Sequence, residues 1–214
     1  MRLQLAIDTQ TLSEAEALVS RVRDLVDLVE VGTPLMIREG VGAVRRLRAV
    51  FPDLTLVADL KIADGGHFEA TLGFEAGARI VTVLAAAADE TIRDAVRAGH
   101  ERGGEVMVDL MGVSDLAGRA AEVDRLGVRW VCLHTPMDVQ RGDAERRAVE
   151  GLRRVKDVLR SAGTAVAGGI TAATAPALAA LRPDLVVVGS AIARAADPRA
   201  AATELRRALG EERP

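Results

Sequence analysis

The chain of 214 residues contains one cysteine, Cys132, no tyrosine, one tryptophan and three phenylalanines. A single thiol excludes an internal disulfide framework and any multi-cysteine zinc site, and it fits a reducing compartment. Aromatics at 2% supply no stacking platform for bases or single-stranded nucleic acid. With a net charge of −3, the chain also lacks the basic footprint of a nucleic-acid or membrane-surface binder. No run reaches the ~18 charge-free apolar residues of a membrane span. The opening MRLQLAIDTQ has neither a long apolar run nor a cleavage-site pattern, so it does not read as a signal peptide, and a cytoplasmic protein is the expectation. There is no GxSxG elbow, no HExxH and no GxxxxGK loop, which leaves serine hydrolase, zinc protease and P-loop readings unsupported. Gly40-Val41-Gly42 opens like a dinucleotide fingerprint, but it falls inside an expected helix and lacks the third glycine. Lysine is scarce too: among 28 lysines and arginines, only Lys61 and Lys156 are lysines. Codon bias accounts for the arginines, and Lys156 reads as a solvated helix position. Lys61 is the lysine that asks for a reason.

What is present is a folding-competent composition, 49% hydrophobic with a mean hydropathy of +0.16, written as one repeating pattern. Short β-branched or Leu-rich runs alternate with longer segments of helical period, as in βα units on a parallel sheet. The strands are expected at Leu3–Asp8, Leu25–Val31, Leu54–Asp59, Ile80–Leu84, Glu105–Leu110, Val128–His134, Ala165–Gly168 and Leu185–Val188. Helices are expected near 12–22, 38–50, 66–76, 89–102, 115–125, 145–161, 172–180 and 198–209. Thr11 with Glu14, and Ser114 leading into Asp115, read as helix caps. Eight units of about 27 residues fit one (β/α)8 TIM barrel near its lower size limit, of class α/β, with 210–214 as a frayed tail. An open doubly wound sheet would call for a Gly-rich turn after the first strand, where Thr9-Gln10-Thr11 stands instead.

In such a barrel the chemistry sits where the strands end. The strand ends here are Asp8, Glu30, Asp59 with Lys61, Asp109 and His134, all ionisable and all closing apolar runs. Asp59 and Lys61 lie two apart, so an extended backbone turns both to one face. Asp24 and Asp53 read as turn formers, and His67 and His100 as helix-surface residues. Two carboxylates, Glu30 and Asp59, beside one lysine are costly without a further cation. Mg²⁺ supplies it best, because it binds one or two carboxylates and completes its shell with water and substrate oxygens. Gly168-Gly169-Ile170 after strand seven and Gly189-Ser190-Ala191-Ile192 after strand eight mark a phosphate site.

VEVGTP at 29–34, VADLKIAD at 57–64, His134-Thr135, AGGI at 167–170 and VVVGSAI at 186–192 together resemble the orotidine-phosphate decarboxylase superfamily. Glu30 stands where the metal-free decarboxylases carry lysine, so the resemblance is to the metal-dependent branch of hexulose-phosphate synthases and keto-gulonate-phosphate decarboxylases. That resemblance implies Glu30 and Asp59 as Mg²⁺ ligands, Lys61 and the metal as stabilisers of an enediolate, and His134 as the acid/base. It implies that Asp8 and Asp109 orient substrate hydroxyls or Lys61, and that Gly168, Gly169, Gly189 and Ser190 hold the phosphate. It implies that Asp64 reaches the partner's site in a homodimer with interfacial active sites. The activity implied is condensation of formaldehyde with a phosphorylated keto-sugar, D-ribulose 5-phosphate. Met137 and Ser190, which replace two arginines of the decarboxylase, favour it, whereas Lys61-Ile62-Ala63-Asp64 reads like the decarboxylase. Decarboxylation of 3-keto-L-gulonate 6-phosphate is the alternative, and a non-catalytic sugar-phosphate binder is the reading from a different class.

Overall fold

Alternate residues of each strand serve two different cores. On β1 (Arg2–Ile7), Leu3, Leu5 and Ile7 are fully buried in the cluster that faces the helices, while Gln4 and Ala6 turn inward. The same two-residue period places Leu28, Val57, Ile80, Met107, Trp130, Ala165 and Leu185 in a second, interior cluster. Strands buried on both faces read as near-continuous apolar runs.

In a computed structural model, describing residues 1–8, 11–140 and 144–211, these strands close on themselves. β1, β2 (Leu28–Val31), β3 (Thr55–Ile62), β4 (Ile80–Leu84), β5 (Glu105–Asp109), β6 (Trp130–His134), β7 (Gly163–Ala167) and β8 (Leu185–Val188) are parallel and paired in chain order, and β8 pairs with β1. The fold is the expected single (β/α)8 barrel. The described helices are α1 (Leu12–Val22), α2 (Thr33–Glu39), α3 (Gly42–Val50), α4 (Gly66–Glu75), α5 (Asp89–Arg102), α6 (Leu116–Asp124), α7 (Ala144–Val158), α8 (Ala175–Ala179), α9 (Ser190–Ala193) and α10 (Pro198–Ala208). Among the described residues no helix is long and apolar enough to cross a membrane.

The structure differs from the sequence reading in several places. The helix expected at 38–50 is two helices. α2 begins at Thr33 because Pro34 presets the first turn, and Gly40 at φ 62° stops it before α3 restarts. Gly40-Val41-Gly42 is therefore a hinge between helices, not helix interior. β3 runs past Asp59 to Ile62 through a register shift against β4 between Ala58 and Ile62. Lys61 sits in that irregularity at φ 48°, so a bulge, not plain extended backbone, aims Asp59 and Lys61 together. β2 and β6 begin at Leu28 and Trp130, later than expected, and β7 begins earlier, at Gly163. The helix expected at 172–180 shortens to α8. Asp115, not Ser114, caps α6 by accepting from the Gly118 amide at 3.1 Å, whereas the Thr11–Glu14 capping box forms as expected. Lys156 is not merely solvated: its Nζ donates to the Leu181 and Arg182 carbonyls at 2.6 Å each. Of the tail expected at 210–214, residues 212–214 lie outside the described residues, and Glu211 accepts from the Met1 amino group at 2.6 Å.

Candidate active site

The inward period that fills the barrel with apolar side chains turns polar toward the C-terminal ends of the strands. Glu30 on β2, Asp59 and Lys61 on β3, Thr82 on β4, Asp109 on β5 and His134 on β6 all line one cavity of about 540 Å³, with Asp8 just beyond β1. Asp59 and Asp109 are 5% and 3% exposed, deep enough that their charges must be answered locally.

Lys61 answers both. Its Nζ lies 3.1 Å from Asp59 Oδ2 and 3.0 Å from Asp109 Oδ2. Burial alone would lower the ammonium's pKa, but Asp59 and Asp109 outweigh it and push it above the usual lysine value. Lys61 is thus a permanent cation at neutral pH. Its backbone N–H donates to Thr82 Oγ1 at 2.9 Å, and that hydroxyl donates to Asp59 Oδ1 at 2.7 Å. Thr33, at the start of α2, donates its hydroxyl to Asp59 Oδ2 at 2.7 Å.

Asp109 also accepts from the Met111 amide at 2.8 Å and stands 2.8 Å from His134 Nδ1. Burial would raise the Asp109 pKa. The His134 hydrogen bond and charge, Lys61 and the Met111 amide together hold it below the ordinary carboxylate value. An ionised Asp109 accepts a hydrogen bond from the Nδ1–H, which assigns the tautomer and leaves His134 Nε2 as the ring nitrogen available to the cavity.

Glu30 behaves oppositely. Burial, then the charge of Asp59, push its carboxyl well above the ordinary value, against the pull of a 2.6 Å hydrogen bond from Gln4 Nε2. The buried Gln4 Oε1, on the side chain that donates to Glu30, has no hydrogen-bond partner among the described residues. Two neighbouring buried carboxyl groups and an unpartnered amide oxygen are hard donors of the kind that suits a hard divalent ion. Among the described residues no cluster of three or more His, Cys, Asp or Glu could hold a metal by itself, so such an ion would rely on water and substrate for the rest of its shell. Asp8 is raised by burial and by Asp59, with His134, Lys61 and Arg194 pulling the other way. Gly32 beside it is closely packed, because a Cβ there would lie 2.8 Å from the Ile7 carbonyl oxygen and would push Asp8 aside.

Gly168, Gly169, Gly189 and Ser190 line the same cavity on its β7–β8 side. At Gly168, φ is 94° and a Cβ would meet the Thr135 carbonyl oxygen at 2.1 Å, so no other residue fits between β7 and the chain leaving β6. Asp64 is the one predicted site residue that the structure leaves apart. It lies exposed on the loop after β3, accepting from the Gly65 amide at 2.7 Å, and does not line the cavity. His67, half-buried on α4, stands 2.9 Å from Glu101, His100 is exposed on α5, and Cys132 lies buried under the cavity, where burial pushes its thiol pKa up.

Gln4, Thr33, Thr82 and Arg194 belong to this cavity and were not read from the sequence as site residues. Gln4 and Thr82 carry a usable signal: each is the polar residue at an inward position of an otherwise apolar strand. Thr33 and Arg194 carry none, because their places depend on how α2 and α9 dock.

Comparison with known proteins agrees with this architecture. A chain from Bacillus subtilis named 3-hexulose-6-phosphate synthase is 42% identical over 210 residues, covering 98% of this chain and 99% of that one. The crystal structure of 3-hexulose-6-phosphate synthase from Salmonella typhimurium matches with a TM-score of 0.93 at 44% identity over 98% of both chains. The 3-keto-L-gulonate-6-phosphate decarboxylase from Vibrio cholerae matches with a TM-score of 0.82 at 28% identity, over 100% of this chain and 99% of that one. Residues 1–205 match the family described as orotidine 5'-phosphate decarboxylase / HUMPS, and the chain belongs to that family.

Proposed function

We propose that this barrel is a carbon–carbon lyase that condenses formaldehyde with D-ribulose 5-phosphate, reversibly, to D-arabino-hex-3-ulose 6-phosphate in the cytoplasm. The observation that carries the reading is the Lys61 ammonium held between Asp59 and Asp109, with His134 on the same Asp109. Full-length relatives at 42% and 44% identity that bear the synthase name support it.

The residues divide the work by their protonation. Lys61 cannot serve as a base, because its carboxylate partners keep it charged. It supplies a fixed positive charge where negative charge develops on the substrate oxygens. His134 Nε2 takes the proton from the hydroxymethyl carbon next to the ketone, and Asp109 holds the ring and balances the imidazolium. The resulting enediolate carbon attacks the formaldehyde carbonyl, and the new alkoxide takes up the proton. A Mg²⁺ ion held by Glu30 and Asp59 would add a divalent charge beside the substrate oxygens. The glycine turns after β7 and β8 admit the phosphate, and Asp8 faces the sugar hydroxyls.

Asp64 completes the site from a second copy of the chain. Phe68 and Leu72 on α4, close behind Asp64 and four residues apart on one helix face, are 70% and 37% exposed. Apolar side chains so placed gain by being covered, and a homodimer covers them while delivering Asp64.

Purified protein incubated with formaldehyde, ribulose 5-phosphate and Mg²⁺ is expected to consume formaldehyde only when the sugar phosphate is present. No such consumption would overturn the reading. Release of CO₂ from 3-keto-L-gulonate 6-phosphate in its place would establish the decarboxylase, whose Lys-Ile-Ala-Asp sequence this chain shares at 61–64.

A further inference from the structure

We propose that Arg194 is the cation that clamps the phosphate of the substrate. The inference rests on the sugar-phosphate reading above and names the residue that supplies its charge. The cavity is rich in acids: Asp8, Glu30, Asp59, Asp109 and Asp138 all line it. A phosphate monoester carries nearly two negative charges at neutral pH, and this wall would repel it unless a cation stood at the phosphate end. Lys61 is committed to Asp59 and Asp109 by contacts of 3.1 and 3.0 Å. Arg194 is the other lysine or arginine on the cavity wall among the described residues.

Three observations place it at the phosphate end. It follows α9 directly, and its N–H donates to the Ser190 carbonyl at 3.0 Å. It therefore sits one helical turn beyond the Gly189-Ser190 turn. Its charge is felt at Asp8, and Asp8 Oδ2 lies 3.1 Å from where a Gly189 Cβ would be, so the guanidinium, the acid and the turn share one corner. Its guanidinium makes no salt bridge or side-chain hydrogen bond among the described residues, whereas many of the surface arginines, such as Arg46, Arg119 and Arg199, are ion-paired. An exposed, uncommitted guanidinium offers the planar fork that phosphate oxygens accept in pairs.

The test separates anion binding from chemistry. Arg194→Ala is expected to raise KM for ribulose 5-phosphate about 10- to 100-fold, the range of a lost charge-assisted contact, with kcat changed less than about threefold. Inhibition by inorganic phosphate should weaken in parallel, and Arg194→Lys should restore part of both. Arg207→Ala, which removes an equal charge from the exposed face of α10, should leave both constants unchanged. An unchanged KM and unchanged phosphate inhibition in Arg194→Ala would overturn the proposal, as would an equal effect of Arg207→Ala, which would assign the attraction to the overall field. Binding of inorganic phosphate, followed by calorimetry, reads the clamp directly: weaker binding in Arg194→Ala upholds it and unchanged binding overturns it. This holds even for a chain that fails to consume formaldehyde, so failure of the clamp and failure of the proposed reaction give different results.

Discussion

The two lysines of this chain show how one residue type is used at two sites for one reason. Lys61 and Lys156 each place a compact ammonium between two oxygen acceptors, two carboxylates in the first case and two carbonyls in the second. A broad guanidinium has a different fork and reach. Lys156 also steadies Arg182, whose φ of 48° matches that of Lys61 itself. Lys61→Ala is expected to reduce kcat/KM by about 10²- to 10³-fold or more, the scale of a removed electrostatic stabiliser. It should also leave Asp59 and Asp109 buried and unanswered, lowering stability by about 3 kcal/mol. Lys61→Arg should not restore turnover. Steady-state kinetics and urea denaturation of the same preparations check both effects.

At the scale of elements, the barrel is fastened where its first and last units meet. Arg206 on α10, 3% exposed, donates to the Leu25 carbonyl at 2.7 Å and to Asp27 at 2.6 Å, and Asp27 also accepts from the Leu3 amide of β1. Arg206→Met is expected to cost about 3 kcal/mol, because it takes the guanidinium away from a partly buried carboxylate, and urea denaturation reads the loss. Asp24 and Arg199 make a second tie on the surface, at 2.6 and 2.7 Å. The Arg199 hydrogen bond is the main reason the Asp24 carboxyl is held down to about 2 from 3.8. A depressed folded-state pKa contributes stability above the unfolded value and loses it as pH falls. The melting temperature of Asp24→Asn should therefore lie only slightly below the parent's at pH 7, because solvent screens so exposed a pair. The two should converge as pH drops from about 4 toward 2. Elsewhere, α4 and α5 pack so closely that a Cβ at Gly66 would lie 1.9 Å from the Thr91 carbonyl oxygen. Backbone cannot yield as a side-chain tip does, so Gly66→Ala should destabilise by about 1–3 kcal/mol in thermal unfolding.

At the scale of the whole molecule, a complete site needs two chains in the proposed dimer. Lys61→Ala and Asp64→Ala homodimers should each be inactive. Refolded together, half of the dimers are mixed, and each mixed dimer holds one intact site, so about a quarter of parental activity should return. No recovery on mixing would place Asp64 in its own chain's site or outside any site. Phe68→Glu should shift sedimentation toward a single chain and lose activity with it.

The barrel was legible from the sequence because a strand buried on both faces must be apolar throughout, and eight such runs alternating with helical periods leave few other closures. Element ends were less legible. The split at Gly40 has a local cause in Pro34 and Gly40, but the short α8 depends on how that helix lies on the sheet, which no local pattern records. At the mouth, strand ends announced Glu30, Asp59, Lys61, Asp109 and His134, because a charged residue closing an apolar run has few structural excuses. Which ionisable groups reach the mouth can be read off the chain, since the two-residue period assigns each strand position to a face. Their partners cannot, because closure of the barrel sets them. The bulge in β3 brings Lys61 onto Asp59 and Asp109, Gln4 meets Glu30 across adjacent strands, and α9 leads Arg194 onto the cavity wall that Asp8 also lines. Apart from Lys61 on Asp59, these contacts join segments distant in the chain, and their energy depends on distances of a few ångströms that only closure of the barrel sets.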